Sequence, residues 1–144
     1  MPNLLCTVAI PTRELFSGEI AYAEVPGAEG SYGVLKGHEM MVSTNRPGVL
    51  TLWLDAEGKE KKQFALYEGA TQVYSDRVTV LGRFGVELDN IDVEAVRKKA
   101  DKIRVEIEEL SKKGEEAEMA SLATHRAKLN WYETQLKIMD GSIK

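Results

Sequence analysis

The chain is short of the residues that most chemistry needs. It has one cysteine, Cys6, so no intrachain disulfide can form and a reducing compartment suits it. Two scattered histidines, His38 and His125, and one thiol are too sparse a donor set for a zinc site. No apolar run approaches the roughly 18 residues that cross a bilayer. The first residues lack a charged segment followed by an apolar run, so no signal peptide is expected. A basic excess is missing too. The formal net charge is −4, with 8 basic and 11 acidic side chains over residues 1–88 and 11 and 12 over residues 89–144. That balance argues against a nucleic-acid footprint and a polybasic membrane anchor. Membrane association would have to pass through a partner. No nucleophile stands with a marked base and orienting group, so catalysis has no visible seat.

What is present divides by hydrophobic period. At 144 residues the chain suits one domain, or one small domain with an appendage. Leu4 to Ile10 alternates, with Leu4, Cys6, Val8 and Ile10 on one face. Cys6 is thus expected as a small buried hydrophobe. Ser17-Gly18 reads as a turn, and Glu19 to Val25 as a second strand with Ala21, Ala23 and Val25 facing one way. Val49 to Leu54 is a strand, and Asp55 to Gly58 a hairpin connection with Gly58 left-handed. Gln63 to Tyr67 returns, Glu68-Gly69 turns, and Ala70 to Tyr74 and Arg77 to Leu81 form a further pair joined at Ser75-Asp76. The charges of Lys59 to Lys62 suit solubility and edge protection at a hairpin tip. Short strands with such frequent turns predict an antiparallel β-sandwich, or flattened barrel, over residues 1–88.

The densest stretch runs from Val25 to Leu50. It holds Gly27, Gly30, Gly33, Gly37, Gly48, Pro26 and Pro47. Apolar residues, among them Leu35, Met40 and Val42, stand between the glycines and are expected to feed a core. Glycine suits left-handed backbone and close approach, so short extended pieces joined by tight turns are predicted. A phosphate cradle is excluded. Lys36-Gly37-His38 is not the Gly-Lys-Ser/Thr ending that brings lysine and a hydroxyl to a nucleotide, and no helical period follows.

From Asp92 onward proline is absent and the period becomes three-four. Val93, Val96, Ala100, Ile103, Ile107 and Leu110 make a narrow apolar seam, with Asp92 as N-cap and Lys112-Lys113-Gly114 as the end signal. A second helix is predicted from Glu115 to Met139, with seam Leu122, His125, Leu129, Tyr132, Leu136 and Met139. Ala120, Ala123 and Ala127 form a small-residue stripe. The two make an αα-hairpin over residues 89–144. The joint with the sandwich is expected near Gly85 to Asn90. The cations Arg97, Lys98, Lys99, Lys102 and Arg104 are interleaved with acids and read as a solvated helical face.

Gly30-x-x-Gly33-x-x-x-Gly37-His38, with Pro47-Gly48 nine residues on, resembles the ε subunit of bacterial and chloroplast F-type ATP synthases. The likeness covers the whole chain. It departs from the usual pattern at Lys36, where proline often precedes Gly-His, and at Glu39-Met40, where Ala-Pro often follows. The resemblance implies a non-catalytic rotor subunit with no cofactor. It implies a sandwich that meets the γ subunit and the c-ring through Glu29, Gly30, Ser31, Tyr32, Lys36 and His38. The hairpin would be regulatory, touching the α and β subunits transiently and blocking ATP hydrolysis when extended. The place implied is the cytoplasmic face of the cell membrane, or the stromal face of a thylakoid, reached through the complex. Some members bind ATP at the start of the first helix. Here Ile91-Asp92 match, Ala95-Val96 stand where Arg-Ala is expected, and Arg97 is two places late. Arg126 matches on the second helix and Asn130 does not, so nucleotide contacts at Ile91, Asp92, Arg97 and Arg126 are expected to be weak. The alternative on residues alone is a sandwich-and-hairpin adaptor unrelated to ATP synthase.

Overall fold

A computed structural model of the chain describes residues 3–113 and 116–143. They fall into two compact units, one running to Asn90 and the other from Ile91 to Ile143. The first is an eight-stranded β unit. Strand β1 (Leu4–Ile10) buries Leu4, Cys6 and Val8 through its alternation. Burial pushes the Cys6 thiol up to about 12, which makes it an inert core residue. A turn at Pro11-Thr12 leads into β2 (Arg13–Ile20), antiparallel to β1.

Here the sequence reading is corrected. Ser17 and Gly18 do not turn; they pair with Thr7 and Cys6 inside the ladder. The Phe16 ring lies over Gly18, with a ring carbon 3.5 Å from where a Cβ would stand. The glycine thus makes room for an aromatic neighbour instead of reversing the chain. The strand expected from Glu19 to Val25 is also two strands. Ala21 lies between them, and β3 (Tyr22–Gly27) buries Ala23 and Val25.

The glycine-rich stretch forms β4 (Gly30–Val34), β5 (Met41–Asn45) and the start of β6 (Gly48–Trp53). Strands β7 (Lys61–Val73) and β8 (Arg77–Glu87) complete the unit. The order is β2-β1-β8-β7-β5-β3-β4, with β6 paired to β3 and β7. Neighbours are antiparallel except β1 and β8, which run parallel. One core joins β1, β2, β3, β4, β6, β7 and β8 through Leu4, Ile20, Val25, Val34, Leu50 and Phe64, with Val80 beside them.

Glu68-Gly69 is the second correction. The segment does not end a strand. Strand β7 runs on through it, pairing with β6 up to Leu66 and with β5 from Gly69. Its ladder with β8 keeps register across the bend, from Tyr67↔Phe84 to Gly69↔Gly82. Both bend residues have positive φ, 48° at Glu68 and 138° at Gly69. A Cβ on Gly69 would stand 1.9 Å from the Leu81 carbonyl oxygen. Strand β8 also runs to Glu87 and not only to Leu81, so Gly85 is no flexible joint. It pairs with Leu66 and is tightly packed by the side chains of Leu66 and Leu15. The chain leaves the sheet through a single 3-10 turn, Leu88–Asn90.

The 54–60 connection is held by one carboxylate. Asp55 accepts the Glu60 N–H at 2.8 Å and the Lys59 N–H at 3.1 Å, and these bonds hold it below the usual carboxylate range. Gly58 takes the left-handed conformation expected of it, with φ 73°.

The second unit is a helix pair, α1 (Val93–Lys113) and α2 (Glu116–Met139). Asp92 caps α1: its Oδ1 accepts the Ala95 N–H at 3.1 Å and its carbonyl the Val96 N–H at 2.9 Å. Val96, Ala100 and Ile103 are buried along α1 as expected. The α2 seam is corrected. Its buried stripe is Ala127, Trp131, Thr134 and Ile138, with Gln135 beside it. Leu122, His125, Leu129, Tyr132 and Leu136 are half-buried, and Met139, Ala120 and Ala123 are exposed. Trp131, the largest side chain on the helix, is buried within this stripe. Thr134 can follow it inward because its hydroxyl donates to the Asn130 carbonyl at 2.7 Å. Gly114 as the turn residue and Glu115 as the helix start lie outside the described residues.

The bend predicts two glycine phenotypes. Gly69→Ala should cost about 3 kcal/mol or more, because backbone strain adds to overlap with a carbonyl that cannot move alone. Gly30 has φ 134° but open space around it, so Gly30→Ala should cost only about 1–2 kcal/mol. Urea unfolding of the two variants should rank them in that order.

Candidate partner-binding surface

The six residues singled out around the glycine segment do not form one site. Strand β4 is five residues long, so about 15 Å separates its ends. Glu29, Gly30 and Ser31 lie at one end, at the tip of the β3–β4 hairpin. Ala28 N–H bonds the Thr44 carbonyl at 2.9 Å there, and Arg46 donates to the Ser31 hydroxyl at 2.8 Å. The Tyr32 hydroxyl, further along, is hydrogen-bonded to Ser43 across to β5. Glu29, Gly30 and Tyr32 edge a shallow groove of about 500 Å³ between the hairpin and β5. Gly30 and its positive φ let the hairpin tip close tightly.

Lys36 and His38 lie at the other end. Gly37, with φ 92°, donates its N–H to the Ser75 carbonyl, and His38 N–H bonds the Leu35 carbonyl at 3.1 Å. The His38 Nδ1 donates to the Glu39 carbonyl at 2.7 Å, which leaves Nε2 outward. Lys36 borders a second cleft of about 490 Å³, floored by the Tyr22–Trp53 ring pair with centroids 5.1 Å apart.

The sequence reading missed the surface between these two ends. Leu35, Met40 and Val42 were expected in a core and are instead exposed, Val42 at 72% and Met40 at 71%. On β5 the inward positions are Met41, Ser43 and Asn45, and the Asn45 Oδ1 accepts from the Thr71 hydroxyl at 2.8 Å. Polar Ser43 and Asn45 thus share the core side with Met41, and Val42 takes the outer side. The register extends this outer face across the sheet. One row reads Val42, Gln72, Thr79, Thr7, Ser17; the next reads Thr44, Ala70, Leu81, Ala9, Glu14. Only Glu14, at the far edge, is charged. The only signal in the sequence was the lack of charge on alternate positions of four separate strands, which cannot be read without their register.

On the helices, Ile91 is half-buried and Asp92 is engaged as a cap. Arg97 pairs with Glu94 at 2.6 Å, one turn back. Arg126 lies on α2 beside the level of Glu106, since His125 touches that residue. Nine residues of α1 separate Arg97 from Glu106, a rise of about 13 Å, so Arg97 and Arg126 stand at different levels of the helix pair. Among the described residues no group of acids, histidines and cysteines is arranged to hold a metal ion. No described helix is long and apolar enough to cross a membrane.

Capping gives a measurable consequence. Asp92→Ala should remove about 1 kcal/mol from α1, seen as roughly fivefold faster amide exchange in its first turns. Arg97→Ala, which removes only an exposed ion pair, should leave those rates within about twofold.

Residues 3–87 match the family model described as ATP synthase, Delta/Epsilon chain, beta-sandwich domain. The chain is 32% identical over 136 residues to the ATP synthase epsilon chain of Magnetococcus marinus, covering 94% of this chain and 93% of that one. It is 32% identical over 129 residues to that of Rhodospirillum centenum, covering 87% and 88%. The match to the Caulobacter vibrioides protein of the same name is 37% over 87 residues, which is 60% of this chain but 98% of that one. In fold, the chain is similar to one in the Euglena gracilis mitochondrial ATP synthase, with TM-score 0.68, 23% identity, and 96% of this chain and 82% of that one covered. A Tetrahymena thermophila chain from a central stalk and c-ring structure gives TM-score 0.51 at 12% identity, covering 92% and 96%.

Proposed function

The chain belongs to the ATP synthase epsilon-chain family, and from that premise we propose how its surfaces divide the work of a rotor subunit. The family makes it a non-catalytic part of the central stalk, coupling ion flow to ATP synthesis. The observation that carries this is a match along nearly the full length of both chains.

Torque passes through contacts that do not slip, so a coupling subunit needs a rigid body with two faces. The β unit supplies the rigidity. The uncharged sheet face around Val42, Thr79 and Leu81 is suited to a large protein partner, because it can be desolvated without stranding a charge. We assign that face to the γ subunit. The hairpin tip at Glu29, Gly30 and Ser31 is small, polar and closely turned, and it suits the polar loops of the c-ring. Lys36 and His38 border the γ-facing end. The subunit reaches the membrane surface through these partners. The helical unit is the regulatory arm, in transient contact with the α and β subunits. That the Caulobacter vibrioides relative is spanned almost entirely by 87 matched residues supports a sandwich that serves without such an arm.

Three experiments test this. Val42→Glu and Leu81→Glu place charges on the face without touching the core, and each should weaken γ binding at least tenfold while leaving the unfolding midpoint unchanged. A cysteine substituted for Ser31 should crosslink to a c-subunit loop in the reconstituted enzyme. Crosslinking to α or β alone overturns the orientation. A chain truncated after Asn90 should fold, bind γ and sustain proton-driven synthesis, and hydrolysis should rise because the arm is gone. Binding with unchanged hydrolysis would make the hairpin a structural brace.

A further inference from the structure

We propose that His125 and Glu106 form a proton-dependent clasp between α1 and α2, closed only while the imidazole carries two protons. The ring of His125 faces acceptors on both sides. Its Nδ1 lies 2.7 Å from the Ser121 carbonyl oxygen, which can only accept, so Nδ1 must carry a proton. Its Nε2 lies 3.1 Å from Glu106 Oε2 on the facing helix. A neutral imidazole with its proton on Nδ1 would turn the Nε2 lone pair toward that carboxylate, and the two would repel. The contact is therefore attractive only when one extra proton sits between Nε2 and Oε2. The Ser121 hydroxyl, 3.4 Å from Nδ1, can rotate to suit but cannot remove this requirement.

The surroundings leave Glu106 as the group that decides. It is the titratable side chain touching His125 from α1, the one element packed against this stretch of α2 within the unit. Lys102 and Glu109 lie within one turn of Glu106 on α1 and carry opposite charges; Arg126 and Lys128 flank His125 on α2 and are exposed. A second cross-helix pair among the described residues, Arg104–Glu133 at 3.3 Å, involves an arginine that keeps its charge at any ordinary pH. A permanent tie thus stands beside one that a proton opens and closes. The sign follows from proton counting. The closed pair holds one proton more than a pair with a neutral imidazole, so acid favours closure and loss of that proton opens the tie.

The test uses the full chain. Nitrogen-15 spectra of His125 at pH 6 should show both ring nitrogens protonated; the signature of a neutral tautomer in the folded protein at that pH overturns the proposal. Protection factors of amides along the α1–α2 contact, such as Ile103 and Trp131, should fall about twofold to fivefold between pH 6 and pH 8. Glu106→Gln should abolish that step, because its amide offers no charge for the imidazolium. A step that survives in Glu106→Gln, or equal protection at the two pH values in the unsubstituted chain, overturns the clasp.

Discussion

The β unit depends on one bend. At Glu68-Gly69 strand β7 changes partner, from β6 on one side of the bend to β5 on the other, while β8 follows it without losing register. This is how a continuous ladder closes over a single core. The bend is possible because Gly69 lies against the Leu81 carbonyl with no side chain between them. Gly85, further along β8, instead makes room for the side chains of Leu66 and Leu15. Close approach, of backbone at Gly69 and of side chains at Gly85, is what these glycines contribute more than flexibility.

That geometry also makes the surface. Because β5 pairs with the far half of β7, Val42 and Thr44 join the row formed by β7, β8, β1 and β2. An uncharged patch arises from residues that lie far apart in the chain. The hairpin tip at Glu29 to Ser31 and the loop at Lys36 to His38 are then held at opposite ends of β4. The proposed division between shaft and ring uses two separate contacts of this kind on one body.

The helical unit follows a different logic. Its hydrophobic contact is narrow, and polar residues take part in it: Thr134 and Gln135 are buried, and His125 and Glu106 meet across the helices. Such contacts hold the pair by modest and condition-dependent terms. A regulatory element is expected to lie at this end of the stability range, where small changes in charge shift a population.

The amino-acid sequence by itself determined the change from strands to helices along the chain, since a change of hydrophobic period from two to three-four depends only on local order. It also determined the isolated elements with local causes: the β1 alternation, the left-handed Gly58, and the Asp92 cap. The Gly-His segment carried enough order and spacing to indicate the family. Tertiary structure decided what local rules could not reach. Ser17-Gly18 and Glu68-Gly69 have the composition of turns, but their neighbours across the sheet keep them extended or bent within a strand. Val42 is apolar and exposed, and Asn45 polar and buried, because the side each faces is set by pairing with β7. On α2 the buried stripe runs through Ala127, Trp131, Thr134 and Ile138, and the leucines that mark a seam in the sequence are only half-buried beside it. A pattern along one chain reports which residues share a face; which face is covered depends on the neighbour that folding brings to it.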